Sequence, residues 1–103
     1  MKVKTSELTG HALDWAVARA TGEFEGDTFM YFSDEWEAGG PIIEREGISI
    51  VLDWDVVGEF SWGATRIEQS VVSQAEGTTP LIAAMRCYVA SKLGDEVDVP
   101  DIF

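Results

Sequence analysis

Two arms of alternating residues between Ile48 and Thr65 constrain the fold more than any other feature of the sequence. In the first arm every second residue is apolar, namely Ile48, Ile50, Leu52 and Trp54. After a turn near residues 57–59, the second arm repeats this pattern with Phe60, Trp62 and Ala64. A period of two with one apolar face predicts two half-buried antiparallel strands. Because an isolated hairpin is barely stable in water, other elements must cover that face.

A helix before the hairpin is predicted to supply part of the cover. Apolar residues recur there at three- and four-residue spacing and form one stripe, Leu8, Ala12, Trp15, Ala16 and Ala20. The spacing predicts a helix from Ser6 to Thr21, followed by Gly22, which readily takes the left-handed conformation that ends helices. This start places Gly10 inside the helix, at a cost of about 1 kcal/mol.

A second helix after the hairpin carries a complete set of boundary signals. Thr79 is a suitable N-cap, Pro80 has its φ already fixed for a first helical position, and Gly94 suits the end. The apolar stripe between them consists of Leu81, Met85, Tyr88 or Val89, and Leu93. We therefore predict a helix over Pro80–Leu93.

The remaining segments give weaker patterns. Pro41–Glu46 reads as a short helix with Pro41 at its first position, and Phe24–Phe32 as a possible third, edge strand. Glu68–Thr78 is polar and reads as a loop, and the tail 95–103 is expected to pack Val97 or Val99. The predicted fold class is α+β, with helices layered on a small antiparallel hairpin sheet as a helix–strand–strand–helix sandwich. A length of 103 residues suits one domain spanning 1–103.

The charge is strongly negative and unevenly distributed. The chain has 7 Lys and Arg against 19 Asp and Glu, a net charge of −12. Residues 23–59 hold eleven acidic residues and one arginine, which is −10. Direct binding to nucleic acid phosphates is not expected, because no net basic surface replaces the counterions. No signal peptide or membrane span is visible, and the lone Cys87 suits a reducing compartment, so we expect a cytoplasmic protein.

One cluster in this acidic segment surrounds an aromatic residue. Its members are Asp34, Glu35, Trp36, Glu37, Glu44, Arg45 and Glu46. This composition predicts a docking surface for a basic protein, with Trp36 as the anchor. The competing interpretation is a solvated acidic surface with Trp36 buried.

Catalytic and metal-binding sets are incomplete. His11 is the only histidine, and Cys87 is predicted to be an inert thiol inside a helix, so neither has the partners of a catalytic triad. Asp53 and Asp55 lie on one face of a strand, but a divalent cation needs more converging oxygen ligands. The sequence therefore assigns no catalytic residue, no cofactor and no metal, and it favours a protein that is not an enzyme.

Three blocks of the sequence resemble one family. They are Thr5–Gly10 with Ala12–Ala18, then Gly39–Ile48, and then Thr79–Val97. In this order they resemble the NinX-like family of small phage and prophage proteins. The resemblance implies a phage protein in the bacterial host cell, with helices layered on a hairpin. The matching residues are mostly helix caps and apolar stripes, so no catalytic residue is carried over.

Three hypotheses for function follow. The first is a phage accessory protein that modulates a host or phage protein through the acidic cluster. The alternative is a small-ligand or nucleotide-binding protein that uses the Trp-rich hairpin with Arg45, Arg66 or Arg86 in a concave pocket. The third is a homodimer formed through an open sheet edge.

Overall fold

The computed structural model describes residues 1–22, 31–54 and 60–101. In these ranges the chain forms short strands, three α-helices and one 3₁₀ turn at Thr5–Glu7. The elements in order are β1 (Lys2–Lys4), α1 (Gly10–Thr21), α2 (Trp36–Glu46), β2 (Ser49–Trp54), β3 (Phe60–Glu68), β4 (Val71–Gly77), α3 (Pro80–Leu93) and β5 (Glu96–Asp98). The α+β class predicted from the sequence is confirmed.

The main sheet has the antiparallel order β2–β3–β4. The predicted hairpin is confirmed as β2 and β3, with Ile50 opposite Ala64. The predicted loop over Glu68–Thr78 is wrong, because most of it is the strand β4. Gln69 and Ser70 both take positive φ and form the tight two-residue turn that returns the chain onto β3. The third strand is thus β4, whereas residues 24–30 of the predicted edge strand Phe24–Phe32 lie outside the described residues.

Helix α3 is the centre of the fold. Thr79 accepts a hydrogen bond from the backbone N–H of Ile82 at 3.1 Å, and Gly94 follows the helix, so both predicted ends are confirmed. Its buried residues surround the helix: Leu81, Ala83, Ala84, Met85, Cys87, Tyr88 and Val89. A helix that is apolar all round is buried on all sides. One side of α3 packs on the sheet and other sides contact α1 and α2.

The layers therefore run from the sheet through α3 to α1. This order differs from the predicted sandwich, in which the helices lie on both sides of the hairpin. Helix α1 packs on α3 instead of on the sheet. As a result, one face of the sheet is covered by α3, and the other carries exposed side chains such as Val51, Ile67 and Val72.

Helix α1 starts later than predicted. It begins at Gly10, which has φ +54°, and not at Ser6. A left-handed residue does not fit a helix interior, so the 3₁₀ turn before it is a separate element. The buried face of α1 also differs from the predicted stripe. It consists of Leu13, Asp14, Ala16 and Val17, while Trp15 is half-buried.

Helix α2 starts five residues earlier than the predicted helix Pro41–Glu46. It includes Gly39, Gly40 and Pro41, which read locally as a loop and a helix start. Tertiary packing explains the glycine at position 39. A Cβ on Gly39 would lie 2.5 Å from the Phe32 carbonyl oxygen and 2.7 Å from Leu81 Cδ2, so only glycine fits where α2 approaches α3.

The chain ends lie close together in a second small sheet. Strands β1 and β5 pair antiparallel, with Val3 opposite Val97. Val97 and Val99 are both buried, as expected for the tail. The Thr5 hydroxyl donates to the Gly94 carbonyl oxygen at 2.6 Å and ties this ribbon to the end of α3.

Candidate functional site

The outer face of α2 presents most of the acidic cluster to solvent. Successive helix residues are rotated by about 100°, so Trp36, Glu37 and Glu44 lie on one side while Ala38 and Ile42 lie on the other. Ala38 and Ile42 are buried against the core. Trp36 is 55% exposed, and Asp34, Glu35, Glu37 and Glu44 are all exposed around it. We call these five residues the acidic face: Asp34, Glu35, Trp36, Glu37 and Glu44.

The turn before α2 positions this face. Phe32 is buried, and Ser33 donates from its backbone N–H at 2.8 Å and from its hydroxyl at 2.7 Å to Asp14 Oδ1 on α1. The backbone N–H groups of Asp34 and Glu35 donate to the Tyr31 carbonyl oxygen. These bonds anchor Phe32 and Ser33 inside the protein and leave Asp34 directed to solvent.

Asp14 is a buried carboxylate that the sequence patterns did not single out. Its exposed fraction is 1%, and Oδ2 has no hydrogen-bond partner. Burial raises the pKa of Asp14 above its usual value, although the two hydrogen bonds from Ser33 act in the opposite direction. The available signal was its position: an acid between Leu13 and the pair Ala16–Val17, on the face of α1 that is otherwise apolar.

We expect Asp14→Ala to lower the free energy of unfolding by about 2 kcal/mol, because the buried Ser33 N–H loses its acceptor. Asp14→Asn keeps an acceptor oxygen and should lie closer to the native protein. Urea denaturation measures both. Equal stability of Asp14→Ala and the native protein would contradict the role of this contact.

The raised pKa of Asp14 also predicts a pH dependence of stability. Asp14 contributes stability at pH values below its unfolded pKa, and this contribution is lost as the pH rises through the folded value. The native protein should therefore gain stability relative to Asp14→Asn as the pH falls from about 7 to about 4.

Glu46 is not part of the acidic face, because its side chain forms ion pairs with residues of other elements. Arg66 on β3 is 7% exposed, and its Nη2 donates to Glu46 Oε1 at 2.7 Å while its Nη1 donates to Glu68 Oε2 at 2.8 Å. Arg45 Nε donates to Glu46 Oε2 at 3.0 Å, and Lys92 Nζ lies 3.8 Å from Glu46. Glu46 therefore joins α2 to the sheet and to α3.

These contacts also set the electrostatics of Glu46. Burial by itself raises the pKa of Glu46, but the hydrogen bonds from Arg45 and Arg66 outweigh burial and hold its pKa below the usual value. Of the seven residues in the predicted docking cluster, the structure thus brings five together on the acidic face. Arg45 is half exposed but bonded to Glu46, and Glu46 points inward. The competing expectation of a buried Trp36 is not met.

The arginines proposed for a nucleotide pocket have internal partners. Arg45 and Arg66 bind carboxylates, and Arg86 donates to the backbone carbonyl oxygens of Leu8 and Glu76, both at 2.8 Å. The side chain of Trp54 lies outside what the structure describes, and Trp62 is half-buried.

A groove of about 500 Å³ lies elsewhere, beside α1 and β5. The Arg19 guanidinium sits 5.7 Å from the centre of the Trp15 ring there, as a cation–π pair. Glu96 and Asp98 also line the groove. Their carboxylates would repel the phosphates of a nucleotide, so the groove does not favour that ligand.

The other candidate chemical groups are separated from each other. Cys87 is fully buried, donates to the Ser73 carbonyl oxygen at 3.3 Å, and has its pKa raised to about 11 by burial. A thiol in this state is a poor nucleophile. His11 is exposed on α1, and its ring lies 5.9 Å from that of Tyr31. Asp55 and the side chain of Asp53 are not among the described parts. Within residues 1–22, 31–54 and 60–101, no group of three or more His, Cys, Asp or Glu side chains is placed to hold a metal ion.

Comparison with known proteins identifies the family. No helix in the described ranges is long and apolar enough to cross a bilayer. No curated protein matches the chain at a significant level. A family model described as "Bacteriophage P22, NinX" matches residues 27–92, which is more than half of the chain. The match covers the middle block and most of the last block on which the resemblance rested, and it includes the acidic face. The chain therefore belongs to the NinX family of phage proteins.

Proposed function

We propose that this phage accessory protein is a non-catalytic binding module that modulates a basic partner protein through the acidic face. The observation that carries the proposal is Trp36, which is 55% exposed among four exposed carboxylates. Full burial of a large apolar side chain contributes about 1.5–3 kcal/mol, and an exposed tryptophan gains this free energy only when a partner covers it. Tryptophan is also among the residues that most often dominate binding energy at protein interfaces.

The placement of the acids supports a role beyond helix stability. Asp34, Glu35 and Glu37 lie at the N-terminus of α2, where negative charge stabilises a helix by about 0.3–1 kcal/mol each. Glu44 lies in the last turn, where the helix dipole disfavours an acid. Glu44 nevertheless shares the outer side of the helix with Trp36 and Glu37. Helix stabilisation therefore accounts for three of the four acids, whereas a shared surface accounts for all four.

The charge of this face defines the kind of partner. A single-sign carboxylate surface repels nucleic acid phosphates and attracts Lys- and Arg-rich protein surfaces over about 10 Å at moderate salt. We place the partner, a host or phage protein, in the cytoplasm of the bacterial cell. Binding of this kind weakens as salt screens the charges.

Two variants and one matched control test the proposal. The first variant is Trp36→Ala. The second neutralises the acids of the face: Asp34→Asn, Glu35→Gln, Glu37→Gln and Glu44→Gln. The control neutralises four exposed acids elsewhere and reaches the same net charge: Glu7→Gln, Glu76→Gln, Asp95→Asn and Glu96→Gln. Each protein is used to capture partners from bacterial lysate, and the captured protein is then purified for calorimetric titration.

We expect Trp36→Ala to weaken binding by about 30-fold, the effect of an interface hot spot. The neutralised face should bind weakly and lose most of the salt dependence, while the control should bind like the native protein. If the control and the neutralised face lose affinity equally, only net charge matters and the acidic face is not the site. If no variant changes binding, the partner uses another surface.

A further inference from the structure

Strand β5 has one paired edge and one open edge. Just after the strand, the Val99 N–H donates to the Met1 carbonyl oxygen at 2.9 Å. In an antiparallel pair every second residue exchanges hydrogen bonds with its partner, so Val97 faces β1 as well. The backbone N–H and C=O groups of Glu96 and Asp98 therefore point away from β1, and they have no partner within the part of the chain that the structure describes. We call these backbone groups the open edge.

The open edge borders the groove of about 500 Å³ beside α1. Trp15, whose ring holds the Arg19 guanidinium, and Leu93 at the end of α3 also line this groove. Proteins that bind a peptide by strand addition combine the same two features: a sheet edge supplies main-chain hydrogen bonds, and adjacent pockets receive alternate side chains. The groove is thus suited to an extended polypeptide segment.

The paired edge of β5 shows which side chains suit a neighbouring strand. Strand β1 places its two lysines opposite Asp98 and Glu96 and its valine opposite Val97. Residues directly opposite each other have their side chains on the same face, where opposite charges stabilise the pair. A strand added at the open edge meets the same three side chains of β5 from the other side. The best match is therefore again a basic, an apolar and a basic residue in succession.

Position, and not net charge, selects the occupant of the open edge. The charged groups around β5 balance: the acids are Asp95, Glu96, Asp98 and Asp101, and the cations are Lys2, Lys4, Arg19 and the Met1 amine. The lysines of β1 lie on the far side of β5, about 10 Å from an added strand, which is also the screening length at moderate salt. The carboxylates of Glu96 and Asp98 lie on the adjacent strand, about 5 Å away. Asp98 binds the Met1 amine at 2.9 Å, yet its side chain is 76% exposed.

We propose that the open edge binds an extended basic–apolar–basic segment of a partner protein as an added strand beside β5. The basic side chains of the segment face Glu96 and Asp98, and its apolar side chain enters the groove toward Trp15 and Leu93. A second copy of β5 would place carboxylates opposite carboxylates, which disfavours pairing of two copies at this edge. The inference does not depend on the acidic face, which lies on other elements.

A synthetic peptide tests the proposal on the full chain. The probe is acetyl-Thr-Lys-Val-Lys-Thr-amide, titrated to about 5 mM at about 50 mM NaCl, conditions that detect weak association. Two-dimensional NMR spectra of the ¹⁵N-labelled protein report the backbone amides of Glu96 and Asp98 directly. The control peptide has the same sequence and charge, but its central residues carry N-methyl groups and cannot donate main-chain hydrogen bonds.

Two variants of one residue separate the backbone from the charge. Glu96→Pro removes the outward N–H, and it leaves the pairing with β1 intact because that N–H faces away from β1. Glu96→Gln has the same net charge as Glu96→Pro and keeps the N–H. Unchanged amide signals of Val3 and Val97 establish that β1 and β5 remain paired in both variants.

We expect the amide signals of Glu96 and Asp98 to shift as the probe is added. The N-methylated peptide should bind at least 10-fold more weakly, because the main-chain hydrogen bonds are lost. Glu96→Pro should weaken binding of the probe at least 10-fold, and Glu96→Gln about 3-fold, as for an exposed ion pair. Equal binding of the two peptides to the native protein would overturn the proposal. Equal losses in the two variants would overturn it as well.

The location of the shifts separates this site from the acidic face, which also attracts lysine. Shifts confined to Trp36 and Glu37 would assign the peptide to the acidic face and overturn the proposal. The variant with the neutralised acidic face should bind the probe like the native protein, so failure of either proposal leaves the other standing. If the signals of Glu96 and Asp98 shift with protein concentration and not with the probe, the edge pairs with a second copy, and the proposal is wrong.

Discussion

Gly39→Ala is expected to lower the free energy of unfolding by about 3 kcal/mol, whereas Gly40→Ala is expected to change it by less than about 1 kcal/mol. The two glycines are neighbours in α2 with different surroundings. A Cβ on Gly39 meets the Phe32 carbonyl oxygen at 2.5 Å, which is backbone and cannot rotate away. A Cβ on Gly40 meets the Trp36 ring at an ordinary 3.8 Å. There alanine adds helix propensity, but its Cβ meets the ring of Pro41, since a residue before a proline is disfavoured in the helical conformation.

Urea denaturation of the two variants measures this difference, with each serving as the control for the other. Both replace glycine by alanine in the same helix, so the gain in helix propensity is shared, and a larger loss in Gly39→Ala reports the contact with Phe32 and Leu81. If Gly39→Ala were as stable as Gly40→Ala, α2 would not approach α3 as closely as the structure shows. Since Phe32 precedes the acidic face, the binding proposed for that face should weaken in Gly39→Ala as well.

Arg66→Met is expected to cost about 3 kcal/mol of stability, and Arg45→Met less than 1 kcal/mol. Both arginines bind Glu46. Arg66 is 7% exposed, and its removal leaves the Glu46 carboxylate, 14% exposed, without its buried partner. The side chain of Arg45 is 50% exposed, so water replaces most of what it provides. Equal losses in the two variants would mean that burial does not decide the strength of these pairs.

The contact between Glu46 and Arg66 also predicts that the stability loss in Arg66→Met depends on pH. The folded-state pKa of Glu46 is lowered, so Glu46 contributes stability above its unfolded pKa of about 4.3. That contribution is lost as the pH falls through the folded value. The gap between the native protein and Arg66→Met should therefore narrow below about pH 4, as Glu46 becomes protonated. Chemical denaturation at several pH values measures the gap, and a constant gap would contradict the role of Glu46.

Several elements followed directly from local sequence. Thr79, Pro80 and Gly94 marked both ends of α3, because a cap, a fixed φ and a left-handed glycine act on neighbouring backbone groups. The alternation in Ile48–Thr65 predicted β2 and β3 for a similar reason, since a period of two depends only on which face is buried. The acidic composition around Trp36 was also readable, because charge and exposure tend to go together.

Other elements were decided by contacts far along the chain. The strand β4 pairs with β3 along its whole length, although polar residues in and around it read locally as a loop. Gly39 marks close packing inside a helix and not a loop, because the Phe32 carbonyl oxygen and Leu81 of α3 leave no room for a side chain there. In each case a local signal for a loop was overridden by packing, which propensity does not contain.

The candidate site divides in the same way. Sequence by itself determined that an acidic cluster surrounds Trp36, since composition is local. Tertiary structure decided that Trp36 is exposed, that Glu46 turns inward to Arg66, and that Asp14 holds Ser33 beneath the acidic face. The physical reason is that burial and pairing depend on which distant residues meet. Asp14 and Ser33 are 19 residues apart, and Glu46 and Arg66 are 20 apart, beyond the range of any helical or strand period.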